Sequence, residues 1–494
     1  MDRYKQSPLY GIMHPKSIAF WGASSNPTGM GSVQLAQLLA LGFEGKVYPI
    51  HPKDTQVMGL AAYATLEEVP EQVDLAVMVV PTSVVPDVLE QCGRSGVKRA
   101  IVVSAGFAEM GSEGGELQER IVRIARQYGI TFLGPNCIGV VNPHMKLNTT
   151  FFPYEASPGF IGIASQSGSL VTQMFMHLAK FGLGFSQGFS VGNEALVDVT
   201  DCLEYLGHCP NTKVIALYIE AIRRGREFVK VAREVSKKKP IVAFYVGGSA
   251  AGSRAGLSHT GALAGPDPLY DAVLRQSGVL RAATIEELFD MCYVLGSQPL
   301  PAGDRVAVLT HSGGPGAAAA DAAERSGLRL AEFGPETLEA LRVVVPHTAS
   351  IGNPVDITFS RNPKDYSQVV PHALLRDPGV DLLFIYVLLP MHRLIMSLLG
   401  RTSDPASAEA LADGFIRDQS DALAGLVPMA GKPVVGASFC PRSEPFIQEL
   451  QDRGFPVLSS PERAMKALAA LAQYARWRHA VAERNEKPLA SVAV

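Results

Sequence analysis

Short apolar runs alternate with longer amphipathic segments along most of the chain. An apolar run without polar alternation is typical of a parallel strand that is buried on both faces of its sheet. Such runs occur at 17–21, 46–50, 75–80, 100–104, 131–133, 160–164, 214–219, 240–246, 305–309, 381–389, 433–439 and 456–458. Helices are predicted between them, for example at 33–41, 171–181 and 317–326. Strands that alternate with helices in this way predict an α/β fold with parallel sheets.

A strand, a turn rich in glycine or serine, and a helix follow one another near Gly22, Gly168 and Gly313. The free N–H groups at the start of a helix favour anions, and small residues allow a phosphate to come close. Serines beside such a turn, as at Ser167 and Ser169, also fit an ordinary helix N-cap. Because the arrangement occurs three times, we expect phosphate handling at more than one site.

The first of these turns predicts a nucleotide-binding unit that differs from an NAD site. Its glycines lack the GxGxxG spacing of dinucleotide-binding domains. The second strand ends in His51-Pro52-Lys53, where an NAD site would place an acidic residue for the ribose hydroxyl. A lysine suits a phosphate instead. We therefore expect a phosphorylated nucleotide other than NAD, and an NAD-dependent oxidoreductase is the less favoured alternative.

The composition indicates a globular intracellular protein. The 494 residues suffice for about three domains, and 47% hydrophobic with 18% charged residues argues against disorder. The net charge of −3 gives no sign of a nucleic-acid or membrane surface. Six cysteines without a CxxC pair indicate a reducing compartment, and no metal ligand is predicted. The N-terminus lacks an apolar signal segment and the run 382–391 is too short to span a bilayer, so we expect a cytoplasmic protein.

Two side chains with catalytic chemistry follow predicted strands in the middle of the chain. His259 lies in Ser258-His259-Thr260-Gly261, among small residues that leave the backbone open to a ligand. Imidazole is readily neutral and nucleophilic near pH 7. Glu220 ends the strand at 214–219, and ligand sites in parallel sheets gather at the carboxyl ends of strands. By themselves, these residues also fit a turn histidine and a solvated glutamate. Cys137 is interpreted as a small buried filler.

Several separate motifs, taken together, resemble the α subunit of the nucleoside-diphosphate-forming acyl-CoA synthetases. This family includes the ADP-forming acetyl-CoA synthetases and is related to succinyl-CoA synthetase. The resemblance extends over roughly residues 8 to 475. The motifs occur in the family's order: Gly22-Ala23-Ser24, Gly134-Pro135-Asn136-Cys137, Ser165-Gln166-Ser167-Gly168, Val191-Gly192-Asn193-Glu194, Ser258-His259-Thr260-Gly261, Gly313-Gly314-Pro315-Gly316 and Gly352-Asn353-Pro354-Val355-Asp356.

The resemblance implies a Rossmann-like CoA-binding domain followed by two flavodoxin-like domains of the succinyl-CoA-synthetase type. We expect the CoA-binding domain at 8–143, a ligase domain with the phosphohistidine loop at 144–300, a second ligase-like domain at 301–475 and a polar tail at 476–494. The family also requires an ATP-grasp module, and no segment after Asp356 offers its strand-rich lobe or metal carboxylates. The resemblance therefore implies an ATP-grasp β subunit on a separate chain, which carries ATP or ADP and Mg²⁺, and an oligomeric assembly.

The resemblance also implies roles for individual residues. His259 matches the histidine that becomes phosphorylated, and Glu220 matches the glutamate that orients it. The positions that match the phosphate cradle are Ser167, Gly168, Ser169 and Gly261. The positions that match CoA contacts are Gly22, Ser24, Ser25, Lys53, Pro81 and Asn136.

The implied reaction joins a small carboxylic acid to coenzyme A reversibly and converts ATP to ADP and phosphate. It passes through an acyl phosphate and a phosphohistidine at His259. The alternative is a non-catalytic CoA- or acyl-CoA-binding protein of the same fold. The missing ATP-grasp module favours this alternative, as does the missing lysine that relatives commonly carry after the strand at 240–246. The presence of both His259 and Glu220 favours the enzyme.

Overall fold

The computed structural model describes residues 2–249, 265–358, 360, 362–387, 396–397 and 404–486. The chain divides into two compact units. The first unit consists of Met1–Ala179 and Leu183–Ala283, and the second consists of Lys180–Gly182 and Thr284–Val494. His259 and Gly261, the predicted phosphohistidine and one predicted phosphate contact, lie outside the described residues.

The first unit contains a parallel sheet with the strand order β2-β1-β5-β6-β7 and a small antiparallel hairpin, β3-β4. Every residue of β1 is buried, as expected for a strand covered on both faces. The strand order reverses between β1 and β5, and ligands of such sheets bind at that point. The strands are β1 (Ser17–Trp21), β2 (Lys46–Ile50), β3 (Gln56–Val57), β4 (Leu60–Ala61), β5 (Leu75–Met78), β6 (Arg99–Val102) and β7 (Thr131–Leu133).

The helices of this region precede or connect those strands. In the longest of them, Ile121 and Ala125 are buried at a helical spacing, and the helix ends at Gly129 in the left-handed conformation. The α-helices are α1 (Arg3–Gln6), α2 (Pro8–Met13), α3 (Met30–Ala40), α4 (Val85–Arg94) and α5 (Ser112–Tyr128). Short 3₁₀ turns lie at Leu66–Glu68, Thr82–Val84, Ala108–Met110 and Pro143–Met145.

The first unit also contains a second sheet, with the order β14-β13-β12-β10-β11-β8-β9. The strands from β10 to β14 are parallel, whereas β8 joins β11 antiparallel. The order reverses between β10 and β12. The strands are β8 (Val140–Asn142), β9 (Leu147–Asn148), β10 (Ile161–Ser165), β11 (Phe185–Ser190), β12 (Val214–Ile219), β13 (Ile241–Tyr245) and β14 (Val279–Ala282). The helices are α6 (Gly168–Ala179), α7 (Val199–His208), α8 (Gly225–Ser236) and α9 (Asp267–Gln276).

The second unit contains a third parallel sheet, with the order β16-β15-β18-β19-β20 and β17 paired to β15. Its strands are β15 (Arg305–Thr310), β16 (Arg329–Leu330), β17 (Val355–Asp356), β18 (Leu382–Tyr386), β19 (Val434–Ala437) and β20 (Val457–Leu458). The α-helices are α10 (Ile285–Ser297), α11 (Gly313–Arg325), α12 (Pro335–Val344), α13 (Val370–Arg376), α14 (Pro405–Ala424), α15 (Leu426–Ala430), α16 (Pro445–Asp452) and α17 (Pro461–Glu486); a π-helical turn lies at Asp365–Val369.

The parallel sheets confirm the predicted α/β fold class. The sequence reasoning did not predict β11 or β14, because Ser186 and Gln187 in β11 and Arg281 in β14 interrupt the apolar pattern. Further differences lie at element ends. The helices α3, α6 and α11 begin a few residues before the apolar pattern predicts, because glycines and other small residues form their first turns. The helix α17 continues to Glu486, so residues 476–486 are helical where a polar tail was expected. Within the described part of the chain, every helix is too short or too polar to cross a lipid bilayer.

Candidate functional site

The six predicted CoA contacts all follow carboxyl ends of strands in the first sheet. Gly22 follows β1 immediately and adopts a φ of +94°, which a residue with a side chain rarely adopts. A Cβ atom at Gly22 would lie 1.9 Å from the carbonyl oxygen of Val79, which comes just after β5. The backbone of the turn therefore passes close to the neighbouring strand end at the point where the strand order reverses.

A hydrogen bond connects the turn after β1 to the loop after β2, and a second one orders the turn itself. The backbone N–H of Ser25 donates to Oδ2 of Asp54 over 3.1 Å. The hydroxyl oxygen of Ser24 accepts from the N–H of Asn26 over 3.2 Å. Lys53 is exposed beside these residues. The arrangement places a cation next to a glycine turn, as a phosphate-bearing ligand requires.

Pro81 and Asn136 lie after β5 and β7. Pro81 is exposed and precedes the 3₁₀ turn Thr82–Val84. Asn136 adopts a φ of +57°, and its backbone N–H donates to the carbonyl oxygen of Ser104 over 2.9 Å. The loops after β5, β6 and β7 thus lie side by side at the same edge of the sheet.

The predicted phosphate cradle forms the beginning of α6, directly after β10. Gly168 is the first residue of this helix, and Ser169 is exposed in its first turn. A Cβ atom at Gly168 would lie 3.0 Å from Cγ2 of Ile138, so the loop that carries Asn136 also reaches the cradle. The Oγ atom of Ser165 accepts from the N–H of Ser167 over 3.1 Å and orders this turn.

Glu220 follows β12, the strand that pairs with β10, and the Gln166 side chain connects the two strand ends. Oε1 of Gln166 accepts from the backbone N–H groups of Glu220 (2.5 Å) and Ala221 (3.0 Å). Nε2 of Gln166 donates to the carbonyl oxygen of Ala221 over 2.7 Å. We call this set of three hydrogen bonds the Gln166 clamp. It holds the backbone of Glu220 beside the predicted phosphate cradle.

Asn193, in the loop after β11, connects this site to the loops of the first sheet. Its side chain is buried and its Nδ2 donates to Oε2 of Glu109 (2.5 Å) and Oε1 of Gln118 (3.1 Å). Its Oδ1 accepts from Nδ2 of Asn136 over 3.2 Å, and its backbone N–H donates to the carbonyl oxygen of Pro135 over 2.9 Å. Asn193 therefore joins the loop that carries Asn136 to the loop after β11.

Glu194, the next residue, is a buried carboxyl group at the same place. Its Oε1 accepts from the backbone N–H of Val199 over 2.8 Å, and its Oε2 lies 3.4 Å from Nε of Arg223. Burial raises the pKa of Glu194 to about 7, although the hydrogen bonds from Val199 and Gln166 lower it. A carboxyl group that titrates near neutrality at a sheet edge is typical of functional sites.

The segment that carries His259 lies between β13 and α9, and residues on both sides of it belong to the described structure. The hydroxyl of Tyr245, the last residue of β13, donates to the carbonyl oxygen of Gly265 over 2.9 Å. The ring of Tyr245 stacks on that of Tyr270 with centroids 3.8 Å apart. The hydroxyl of Tyr270 accepts from the N–H of Ile222, two residues after Glu220. The Glu220 loop and the end of the histidine segment thus share a tyrosine pair.

The third glycine turn belongs to the second unit. His311 follows β15 and its ring lies 4.2 Å from that of Tyr366, which belongs to the π-helical turn. Burial lowers the pKa of His311 to about 4, although Asp356 raises it, so the imidazole is neutral. Cys137 in the first unit is buried, as its interpretation as a filler predicts, and burial raises its pKa to about 12.

Gln166, Asn193 and Glu194 were given no role by the sequence reasoning. All three stand in the family motifs named above. Gln166 comes shortly after the predicted strand at 160–164, and that position is a signal by which it could have been found. No strand was predicted before Asn193 and Glu194, so only their motif could have marked them. Among the described residues, His, Cys, Asp and Glu side chains form no cluster of three that could hold a metal ion.

Three stretches of the chain match known domain families. Residues 16–143 match the CoA binding domain, residues 158–295 match the succinyl-CoA ligase like flavodoxin domain, and residues 306–414 match the ligase-CoA domain. With the strand-end sites described above, these matches define an acid–CoA ligase, an enzyme that forms carbon–sulfur bonds with coenzyme A.

Similar proteins and solved structures identify the family of acid–CoA ligases to which the chain belongs. The chain is 40% identical over 466 residues to acetate–CoA ligase [ADP-forming] II subunit alpha of Pyrococcus furiosus, covering 94% of this chain and 97% of that protein. It is 38% identical to the I subunit alpha of that organism, covering 97% and 100%. The dinucleotide-forming acetyl-coenzyme A synthetase 1 of Ca. Korarchaeum cryptofilum, solved with phosphate and ADP, superposes with a TM-score of 0.85 at 34% identity, covering 97% and 99%. The chain belongs to the α subunits of the nucleoside-diphosphate-forming acyl-CoA synthetases.

Proposed function

We propose that this α subunit works through a phosphohistidine at His259. Phosphate attacks the acyl carbon of an acyl-CoA, the thioester bond breaks, and an acyl phosphate and the CoA thiol are released. His259 then attacks the phosphorus, and the carboxylic acid leaves. The phosphohistidine finally transfers its phosphoryl group to ADP, which gives ATP and restores the histidine. Each step is reversible, so the same residues serve synthesis of the thioester.

The described residues supply what the phosphoryl steps require. The beginning of α6, at Ser167, Gly168 and Ser169, directs backbone N–H groups at the phosphate, and Gly261 would add a contact from the histidine segment. The Glu220 carboxylate would accept a hydrogen bond from one N–H of the imidazole, which leaves the other nitrogen free to attack. The observation that carries this proposal is the Gln166 clamp, because it holds Glu220 and the cradle at adjacent strand ends.

Coenzyme A would bind at the edge of the first sheet. The close approach of Gly22 to Val79 provides a side-chain-free surface, and Lys53 offers an exposed cation for a phosphate. Ser24, Ser25, Pro81 and Asn136 complete the proposed contacts. These residues bind and orient the CoA, while the thioester chemistry belongs to CoA itself.

We further propose that the nucleotide and Mg²⁺ are held by an ATP-grasp β subunit on a separate chain. Both Pyrococcus furiosus relatives are named as α subunits. The acetate–CoA ligase [ADP-forming] I of Archaeoglobus fulgidus is longer, and the match spans 63% of it. An assembly of α and β chains supplies the oligomer. All six cysteines are free thiols, which supports a reducing, cytoplasmic location.

Phosphoenzyme formation tests the proposal. The purified chain is incubated with labelled phosphate and with acetyl-CoA, 4-hydroxybutyryl-CoA or feruloyl-CoA, the acyl groups for which relatives are named. We expect label that is acid-labile and base-stable, at His259. His259→Ala should lose the label and still bind CoA, and Glu220→Gln should lower the yield of label. If no label forms without a β subunit, a candidate β subunit is added together with labelled ATP and Mg²⁺. The reverse reaction should then place the same label on His259.

The non-catalytic alternative predicts the opposite result. A chain that binds CoA but gains no label from either direction would contradict the proposal. Label of equal yield in His259→Ala would contradict the assignment of the histidine.

A further inference from the structure

Glu194 is a buried carboxyl group that the proposed reaction does not use. Its side chain is 2% exposed, and its backbone has a φ of +54°. A residue with a side chain is strained in this left-handed region, and such strain persists where the surroundings hold it and where function requires it. Gly192, two residues earlier, also has a positive φ, so the loop after β11 takes a sharp and unusual path.

The carboxyl group of Glu194 is surrounded by donors. The backbone N–H of Val199 donates to Oε1, and Nε of Arg223 lies 3.4 Å from Oε2. The backbone N–H of Val191 donates to the carbonyl oxygen of Ser165 over 2.9 Å, which brings the Glu194 loop beside Gln166, and hydrogen bonding to Gln166 is among the causes that lower the pKa of Glu194. A carboxylate accepts all three interactions. A protonated carboxyl group would bring an O–H donor into a set of donors, so one contact would have to break.

The contact with Gln166 connects Glu194 to the catalytic glutamate. In the Gln166 clamp, Oε1 accepts from two backbone N–H groups and Nε2 donates to a carbonyl oxygen. Nε2 has a second hydrogen, and the Glu194 carboxylate accepts from this amide. The three bonds of the clamp set which way the amide points, and the carboxylate is a further acceptor for its NH₂ group. A reversed amide would place its NH₂ group against the N–H groups of Glu220 and Ala221.

We propose that Glu194 is a positioning residue whose carboxylate holds the Gln166 clamp, and through it the backbone of Glu220, in the arrangement that phosphoryl transfer requires. The inference rests on the proposed function of Glu220 and His259. It assigns to Glu194 a role through Gln166 and not a contact with the substrate.

Burial and the charges around Glu194 bring its pKa close to neutral pH, so its protonation can change under the conditions in which the enzyme works. Burial is the main cause that raises the pKa of Glu194 to about 7, and Asp198 raises it further, whereas the Arg223 guanidinium lowers it. Asp198 itself accepts two hydrogen bonds from Arg224, each of 2.6 Å, and Arg224 also pairs with Asp201. Cys202 on α7 is a neutral thiol, since burial raises its pKa. Above about pH 7 the group is ionised and the clamp is held; below it the clamp is released.

The test is the pH dependence of phosphoenzyme formation with the complete α–β enzyme. In the wild type we expect the rate to fall as the pH drops through about 7, with the slope of a single proton. Glu194→Gln has no ionisation there, so its rate should stay flat across this range, about tenfold below the wild-type plateau. The matched control is Asp290→Asn. Asp290 is also a buried carboxyl group, ion-paired with Arg463, in the second unit, and its variant should keep the wild-type pH profile.

A second variant leaves the buried carboxyl group in place. Arg223 is 47% exposed, so Arg223→Gln should fold normally. Removing its positive charge raises the pKa of Glu194, and the acid limb of the profile should move to higher pH. An unmoved acid limb in Arg223→Gln, or a Glu194→Gln enzyme that retains the wild-type profile, would overturn the proposal. A wild type that forms no phosphohistidine at any pH would instead contradict the proposed function itself.

Discussion

Position 22 requires glycine because the neighbouring backbone leaves no room for a side chain. The turn after β1 approaches the strand end after β5 so closely that the carbonyl oxygen of Val79 occupies the position of a Cβ atom. The φ of +94° excludes an unstrained side chain for a second, independent reason. Ser24 and Ser25 beside it are held by hydrogen bonds to the loop backbone and to Asp54, so this part of the edge is ordered by polar contacts.

Gly22→Ala should therefore weaken CoA binding. The turn must shift away from Val79 or remain strained at a cost of about 1–3 kcal/mol, which corresponds to roughly a 5- to 150-fold loss of affinity if the shift deforms the site. Calorimetric titration with CoA measures it. Gly115→Ala is the control: the glycine lies within α5 and a Cβ atom there would meet open space, so affinity should be unchanged. Equal affinity in both variants would contradict the assignment of this turn to CoA.

At the scale of secondary-structure elements, loops that follow strands of two different sheets contact each other. The loop after β7 and the loop after β11 meet through Asn193, which serves Glu109, Gln118 and Asn136 at once. A Cβ atom at Gly192 would lie 2.2 Å from the carbonyl oxygen of Pro135, so the two loops are in direct backbone contact. The loops with the proposed CoA contacts and the loops with the proposed phosphoryl contacts are therefore parts of the same connected structure.

Asn193→Ala should loosen this connection. The substitution removes the Asn193 partner of the half-buried Glu109 and Asn136 side chains, and each lost hydrogen bond costs about 1 kcal/mol. We expect a lower free energy of unfolding for the first unit in urea. Asn362→Ala is the matched control, because Asn362 is exposed and its contacts are local, so its effect should stay within about 0.5 kcal/mol. A loss no greater than in the control would show that the loops are held without Asn193.

The whole molecule consists of two units that each contain a parallel α/β sheet. The described candidates for CoA and phosphoryl contacts all belong to the first unit, and the third glycine turn with His311 belongs to the second. Titration of a buried group in one unit changes the stability of that unit by proton linkage. Glu194 is such a group, because its folded-state pKa is raised above the ordinary value of 4.5.

The free energy of unfolding of the first unit should consequently depend on pH through Glu194, and the direction of this dependence can be derived. A raised carboxyl pKa means that the folded state binds more protons than the unfolded state between about pH 4.5 and 7, so stability falls as the pH rises through this window. The unfolding free energy of the wild type, minus that of Glu194→Gln, should drop by roughly 3 kcal/mol across it and stay constant above. Trp477→Phe leaves Trp21, buried in β1, as the fluorescent reporter of the first unit. A difference that does not change with pH would contradict the raised pKa.

Local sequence determined much of this protein. Continuous apolar runs followed by small residues predict strands and turns, because a parallel strand must be apolar on both faces and a turn near a ligand needs space. The motifs were sufficient for the family, and they are the basis of the proposed roles of Glu220, Ser167 and Gly22. The exceptions are strands with polar residues, such as β11, and helix starts such as Gly168 and Gly313, where small residues carry no apolar pattern.

Only the tertiary structure decided which polar residues act together. Gln166 and Glu220 are 54 residues apart in the chain, and Asn193 and Glu109 are 84 apart, so no local pattern relates them. They meet because β10 and β12 are neighbours in the second sheet and because loops of two sheets share an edge. The titration of Glu194 likewise arises from burial among donors that come from several elements. Apolar periodicity records how a segment is buried, whereas the partners of a buried polar group depend on the order in which strands are arranged in space.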